Sequence, residues 1–300
     1  LVVNQLASMN KDQSDPALPR YLIIKLGGSG ITSKSTYEEL NSPNLETAAA
    51  AIVDFHRRVM CVGKGTIENV RLLILHGAGS FGHHSAHEYG VKHGINLAES
   101  QHLRTGFGIT RASVLRLNLL VVEALHKAGM TEAVSLSPQP LCCPSLVPSS
   151  VDAKLVIDAA TRFTEVGLVP VMHGDAVITM SGGCSILSGD AIIAAASRRF
   201  GCQCSVLFLT DVAGVLDRPP QKCAVLIPKI DVSAEGAALM GSIDTTTKHA
   251  FDVTGGIAGK IKSCCECVQN GSSPVVIAGI GNSRHVLEGL LRYFQDKSLQ

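Results

Sequence analysis

The chain predicts an α/β fold with a mostly parallel central sheet covered on both faces by helices. Three observations point there. Short apolar runs alternate with helix-length patterns, hydrophobic residues make up 46% of the 300 but aromatics only 4%, and glycine-rich segments follow the apolar runs. Residues 21–26, 70–76, 168–172, 205–210 and 274–279 read as buried strands, because apolar residues run through them without polar alternation. Helical spacing marks residues 46–60, 110–127, 190–200 and 256–270. In the second of these, Leu115, Leu119, Val122 and Leu125 make an apolar stripe. In such sheets ligands bind beyond the carboxyl ends of the strands, where the glycines fall.

A chain of this length buries a core that needs no staples. Its 26 Lys+Arg against 25 Asp+Glu leave a net charge of +1, which argues against nucleic acid or an anionic membrane as the main partner. The longest uncharged stretch, residues 133–151, contains Pro138, Pro140, Pro144 and Pro148 and reads as a loop, not a membrane span. Residues 1–20 lack a basic start followed by an apolar run, so they read as a flexible extension without a secretory signal. The ten cysteines are crowded or set in apolar patterns and read as reduced thiols of a cytosolic protein. Cys264 and Cys267 form a C-x-x-C, but no second pair accompanies them, so a zinc or redox role is disfavoured. A soft boundary near residues 160–167 divides lobes 21–165 and 166–300, expected to share one continuous sheet.

Several segments carry anion-binding features. Lys25-Leu26-Gly27-Gly28-Ser29-Gly30 ends a strand in a lysine and glycines, which lets backbone N–H groups approach phosphate closely. Lys34 follows nine residues after Lys25. The alternative is an ordinary turn with a solvated lysine. His76-Gly77-Ala78-Gly79-Ser80-Phe81-Gly82-His83 contains G-x-G-x-x-G, so a dinucleotide fold is a rival reading; a Rossmann site, however, does not require Lys25. Gly255-Gly256-Ile257-Ala258-Gly259-Lys260 fails as a Walker motif, its spacing one short and Ile261 in the Ser/Thr place, yet suits an anion at a helix entry. Helix-packing glycines are the alternative there. Ser188-Gly189-Asp190 opens a helix, where Asp190 reads equally as an N-cap, and Asp211 in Thr210-Asp211-Val212-Ala213-Gly214-Val215 reads equally as a turn residue. His83 and His87 are four apart, a spacing that suits metal on a helix, but no third ligand is evident.

Taken together and in this order, these segments resemble the amino-acid kinase superfamily over about residues 20–282, and the motif ending in His83 resembles the isopentenyl phosphate kinases. The resemblance implies an open αβα sandwich, a homodimer, and ATP-dependent phosphorylation of isopentenyl phosphate to isopentenyl diphosphate in isoprenoid biosynthesis. It places the acceptor in lobe 21–165 and ATP in lobe 166–300. Lys25, Lys34, His83, Asp190 and Lys260 are the implied catalytic residues, Asp190 orienting the lysines and His83 binding the acceptor phosphate. Gly27, Gly28, Ser29 and Gly79, with Asp211, Gly214, Gly255 and Gly256, are implied at ATP beside Lys25 and Lys260. Gly77, Ala78, Gly174 and Asp175 are implied beside His83 at the acceptor. Ala78 departs from the glycine many archaeal members carry, and slight crowding is expected. No protein-held metal is expected; Mg²⁺ rides on ATP. Phe107, Ile109, Val114 and Leu115 are candidates for the apolar tail of the acceptor, against a reading as ordinary core. Rival functions are a kinase for a carboxylate, carbamate or phosphonate, a non-catalytic nucleotide sensor, and an NAD-dependent oxidoreductase.

Overall fold

The computed structural model describes residues 2–5, 18–33, 35–61, 70–139, 141, 153–217, 224–232, 238–239 and 256–298. The chain enters with β1 (Val2–Gln5), then runs through β2 (Arg20–Leu26), the single turn α1 (Gly28–Ile31), α2 (Ser42–Cys61), β3 (Val70–His76), α3 (Gly79–Glu88), β4 (His93–Gly94) and α4 (Gln101–Ala128). It continues through β5 (Ala133–Ser135), α5 (Lys154–Glu165), β6 (Val169–His173), β7 (Asp175–Ile178), β8 (Cys184–Leu187), α6 (Gly189–Phe200) and β9 (Cys204–Thr210). The last elements are β10 (Lys229–Val232), β11 (Ala238–Leu239), α7 (Gly256–Gln269), β12 (Val275–Gly279) and α8 (Ser283–Ser298).

Nine strands form one sheet in the order β11-β10-β1-β12-β9-β2-β3-β6-β5, and β4-β8-β7 form a small second sheet. Within the large sheet β9, β2, β3, β6 and β5 are parallel throughout. Successive side chains of β2 point to opposite faces. Leu22, Ile24 and Leu26 join the core under α2, α4 and α8. Tyr21 and Ile23 join the core under α5, α6 and α7. Both faces are therefore covered, which explains why the strands read as unbroken apolar runs.

Several expectations change. Val2–Gln5 is not an extension outside the fold: it pairs parallel to β10 and antiparallel to β12, as the β-branched Val2-Val3 pair permits. Residues 133–135, expected as loop, pair with β6; Pro144 and Pro148 lie outside the described residues. The boundary placed at 160–167 spans the end of α5 and the turn after it, and strands from either side of it, β3 and β6, pair in one sheet. Helix α4 starts nine residues before expected, N-capped by Ser100, whose hydroxyl accepts from Leu103 N at 3.2 Å, and it ends at Gly129 with φ +105°. Its buried face is Val114, Leu117, Val121 and Leu125, while Leu115 and Leu119 are 38% and 56% exposed. Cys264 and Cys267 pack in the core, as does Cys204, whose thiol burial pushes up to about 12. Among the described residues no helix is long and apolar enough to cross a membrane.

Candidate phosphate-binding site

The carboxyl ends of β6, β3, β2 and β9 lie side by side, and the first three pass directly into glycine. Gly174 N donates to His76 O (3.2 Å), Gly77 N to Leu26 O (3.0 Å) and Gly27 N to Leu209 O (2.8 Å), so the ladder carries one residue into each loop. The loops then touch through backbone. A Cβ on Gly77 would sit 2.8 Å from Gly28 N, and one on Gly28 would sit 2.8 Å from Gly79 Cα and collide with Gly79 N. No side chain fits between them, so glycine is required at both positions. Gly79 also has φ +50°. The loop after β9 is pinned beneath β12 by Gly279 N donating to Ala213 O at 3.2 Å.

Lys25 shares the face of Tyr21 and Ile23, toward α6 and α7. Its ammonium pairs with the Asp190 carboxylate in the first turn of α6, both side chains being mostly buried. Asp190 is not the N-cap. Ser188 holds that place, its Oγ accepting from Ala191 N at 3.2 Å, which frees Asp190 to face Lys25. From α7, Lys260 Nζ donates to Thr210 Oγ1 at 3.1 Å. Burial, and then the nearby Lys25 charge, hold the Lys260 ammonium below the ordinary lysine range, against Asp190 and Asp211. Ser29 Oγ and Thr210 Oγ1 both donate to Asp211 Oδ1, at 3.1 and 3.0 Å. Lys25 and Asp190, 165 positions apart, thus form one charge cluster with Asp211 and Lys260.

Helix α3 starts at Gly79, pointing its N–H groups and positive dipole end at the abutting loops. His83 lies half-buried in its second turn. A Cβ on Gly82 would come within 2.6 Å of the Ala78 methyl and 3.0 Å of Val114 Cγ2. The Ala78 methyl is therefore accommodated by the bare Gly82. Thr32, which the sequence did not single out, ties the loops: its Oγ1 donates to Gly28 O (2.8 Å) and accepts from Ser80 N (3.0 Å).

Asp175, implied at the acceptor, follows β6 and Gly174. Its side chain is fully buried and accepts from Arg111 Nε and Ser137 Oγ, each at 3.3 Å. Burial raises its carboxyl above the usual range despite Arg111. On the α4 side of the sheet, His76 and His173 face each other, ring centroids 5.6 Å apart. Burial, and then His173, depress His76 to about 3, and burial depresses His173 as well. Of the tail-binding candidates, Val114 is buried beside Gly82 and Phe107 packs against the Ala86–Val91 cluster, while Ile109 and Leu115 are exposed. Gly256 opens α7 and Gly214 follows β9; Lys34 and Gly255 lie outside the described residues. His83 and His87 share α3, and among the described residues no three His, Cys, Asp or Glu side chains are grouped to hold a metal.

Residues 20–279 match the Amino acid kinase family, and the chain belongs to it. It is 32% identical to an isopentenyl phosphate kinase of Arabidopsis thaliana, over 90% of this chain and 91% of that one. It is 34% identical to one of Methanothermobacter thermautotrophicus, over 89% and 95%. A crystal structure described as isopentenyl phosphate kinase superposes with a TM-score of 0.68 at 31% identity, covering 90% of this chain and 96% of that one. Within the family, the similarity therefore runs to the isopentenyl phosphate kinases.

Proposed function

We propose that this chain transfers the γ-phosphoryl group of ATP to isopentenyl phosphate, giving isopentenyl diphosphate for isoprenoid biosynthesis. The observation that carries this reading is the convergence of Lys25, Asp190 and Lys260 beside two glycine loops that touch, in a chain whose relatives bear that activity in their names.

Donor and acceptor are both anions, so charge repulsion is the main obstacle, and catalysis is positioning plus charge stabilisation. Lys25 and Lys260 sit on the ATP side and offset the β- and γ-phosphate charge, with Lys34 the third cation. Asp190 holds Lys25 in place and keeps the two ammoniums from repelling each other apart. Gly27, Gly28, Ser29, Gly79 and Gly256 offer backbone N–H groups to the phosphates; Asp211, Gly214 and Gly255 border the nucleotide. His83 donates to a non-bridging oxygen of the acceptor phosphate, with Gly77, Ala78 and Gly174 around it. Asp175 supports that side from behind through Arg111. The acceptor's second pKa is about 6, so its oxygen is already ionised and no general base is required. Asp190 and Asp211 are engaged with Lys25 and with Ser29 and Thr210; Mg²⁺ would arrive with ATP and would supply further charge neutralisation of the phosphates. The enzyme acts as a cytosolic homodimer. The free thiols of Cys184, Cys202, Cys204, Cys264, Cys265 and Cys267 fit a reducing compartment.

The test is ADP release by the purified chain with Mg-ATP and isopentenyl phosphate, with mevalonate phosphate, glutamate and UMP in parallel. Turnover confined to isopentenyl phosphate and close analogues is expected. ATP binding without turnover on any acceptor, or turnover on glutamate, would overturn the assignment.

A further inference from the structure

We infer that His76, braced by Asn118, is a positioning residue that sets the Gly77–Ala78 peptide so that the Ala78 N–H faces the acceptor phosphate. The inference deepens the function proposed above and rests on it for the identity of the acceptor. His76 is fully buried and takes no part in the phosphoryl transfer described so far. Its Nδ1 lies 3.0 Å from Gly77 O, which can only accept, so Nδ1 carries the proton and donates. Nε2 is then an acceptor, and Asn118 Nδ2 donates to it at 3.1 Å. The same amide gives its other proton to Val171 O at 3.1 Å. One asparagine on α4 thereby braces the ring from β3 and the backbone of β6 together.

A trans peptide carries its C=O and N–H on opposite edges. Holding Gly77 O against the buried ring therefore turns the Ala78 N–H the other way, toward the loops and the start of α3. Gly77 has no side chain to fix its own conformation, and its neighbour across the gap is Gly28. A reversed peptide would present a carbonyl oxygen to the phosphate in place of a donor. The device is repeated next door: β6 also ends in His-Gly, and His173 Nδ1 donates to Gly174 O at 3.0 Å. His76 and His173 are register partners, and their rings stack at 25°. Burial keeps both neutral, which preserves the single proton on Nδ1.

Asparagine places its amide nitrogen where histidine has Nδ1, and glutamine where histidine has Nε2. His76→Asn should therefore retain the bond to Gly77 O, and His76→Gln should lose it. The expected result is an acceptor KM raised about tenfold or more in His76→Gln, the scale of losing one hydrogen bond to a charged group. The ATP KM should stay within about twofold, and His76→Asn within about threefold of wild type. An unchanged acceptor KM in His76→Gln, or equal impairment of both variants, would overturn the inference. A second readout needs no turnover: the Ala78 amide resonance of the full chain, titrated with inorganic phosphate. It should shift in wild type and His76→Asn but not in His76→Gln; no shift in wild type would also overturn the inference. Failure of wild type to phosphorylate isopentenyl phosphate, with this amide pattern intact, would refute the proposed acceptor and leave the role of His76 standing.

Discussion

Replacing Asp190 by asparagine removes one negative charge from between two lysines while keeping the side-chain volume. Asp190 pairs directly with Lys25, the two side chains being 17% and 10% exposed, and its charge also supports the ammonium of Lys260. A unit charge a few ångströms away at an effective dielectric near 20 is worth roughly 3 kcal/mol. Partial access of solvent to the open strand ends reduces this to about 1.5 kcal/mol, or about one pH unit. The sign follows from the lysine: the active form is protonated, its pKa already lies below the ordinary value, and losing Asp190 lowers it further. Activity lost on raising the pH should therefore disappear about one unit earlier in Asp190→Asn than in wild type. The displaced Lys25 should cost about 10²-fold in kcat below that limb. Steady-state ADP release between about pH 6 and 10, at constant ionic strength, measures both. An alkaline limb at the wild-type pH would refute the charge coupling, and a kcat within about threefold would refute the clamp on Lys25.

Gly28→Ala drives a methyl into the Gly79 backbone, so kcat/KM should fall about 10²-fold or more with unchanged circular dichroism; wild-type kinetics would mean the loops need not touch. Arg111→Met leaves the buried Asp175 carboxylate without its cation and should cost about 3 kcal/mol in urea unfolding at pH 8. Because that carboxyl would titrate higher in the folded chain than in the unfolded one, the deficit should shrink at pH 5; a deficit independent of pH would contradict the reading. His76 titrates near 3 when folded, against an ordinary value near 6.5. Folding therefore loses up to about 1.4 kcal/mol per pH unit for this residue as the pH falls below 6.5. His76→Gln should flatten the pH dependence of unfolding between about pH 6.5 and 4, and an unchanged slope would argue that His76 is protonated in the folded chain.

The central strands were legible to within a residue because burial on both faces leaves an unbroken apolar signal. Helical spacing in the sequence marks α4 only from residue 110, and Gly106 and Gly108 just before it have low helix propensity. In the fold Gly106 exists to let Tyr89 pack, since a Cβ there would collide with the Tyr89 side chain. The stripe through Leu115 and Leu119 was misplaced because helical spacing alone does not say which of two adjacent apolar faces meets the sheet. Helix α3 was hidden behind Gly79 and Gly82, which read as loop. The Lys25–Asp190 pair was suggested only by resemblance, because no spacing rule joins residues so far apart. The buried group of Arg111, Asn118, His76 and His173 left no periodic trace; the repeated His-Gly pair at the ends of two strands, His76-Gly77 and His173-Gly174, was the one signal available.

The proposed phosphoryl transfer needs His83 on the acceptor phosphate while the lysine side holds ATP. The most direct test is the kinetics of His83→Ala with isopentenyl phosphate and Mg-ATP varied independently. The expected result is that kcat/KM for isopentenyl phosphate falls about 10²-fold or more, with the ATP dissociation constant within about twofold of wild type. Near-wild-type turnover, or a loss confined to ATP binding, would contradict it.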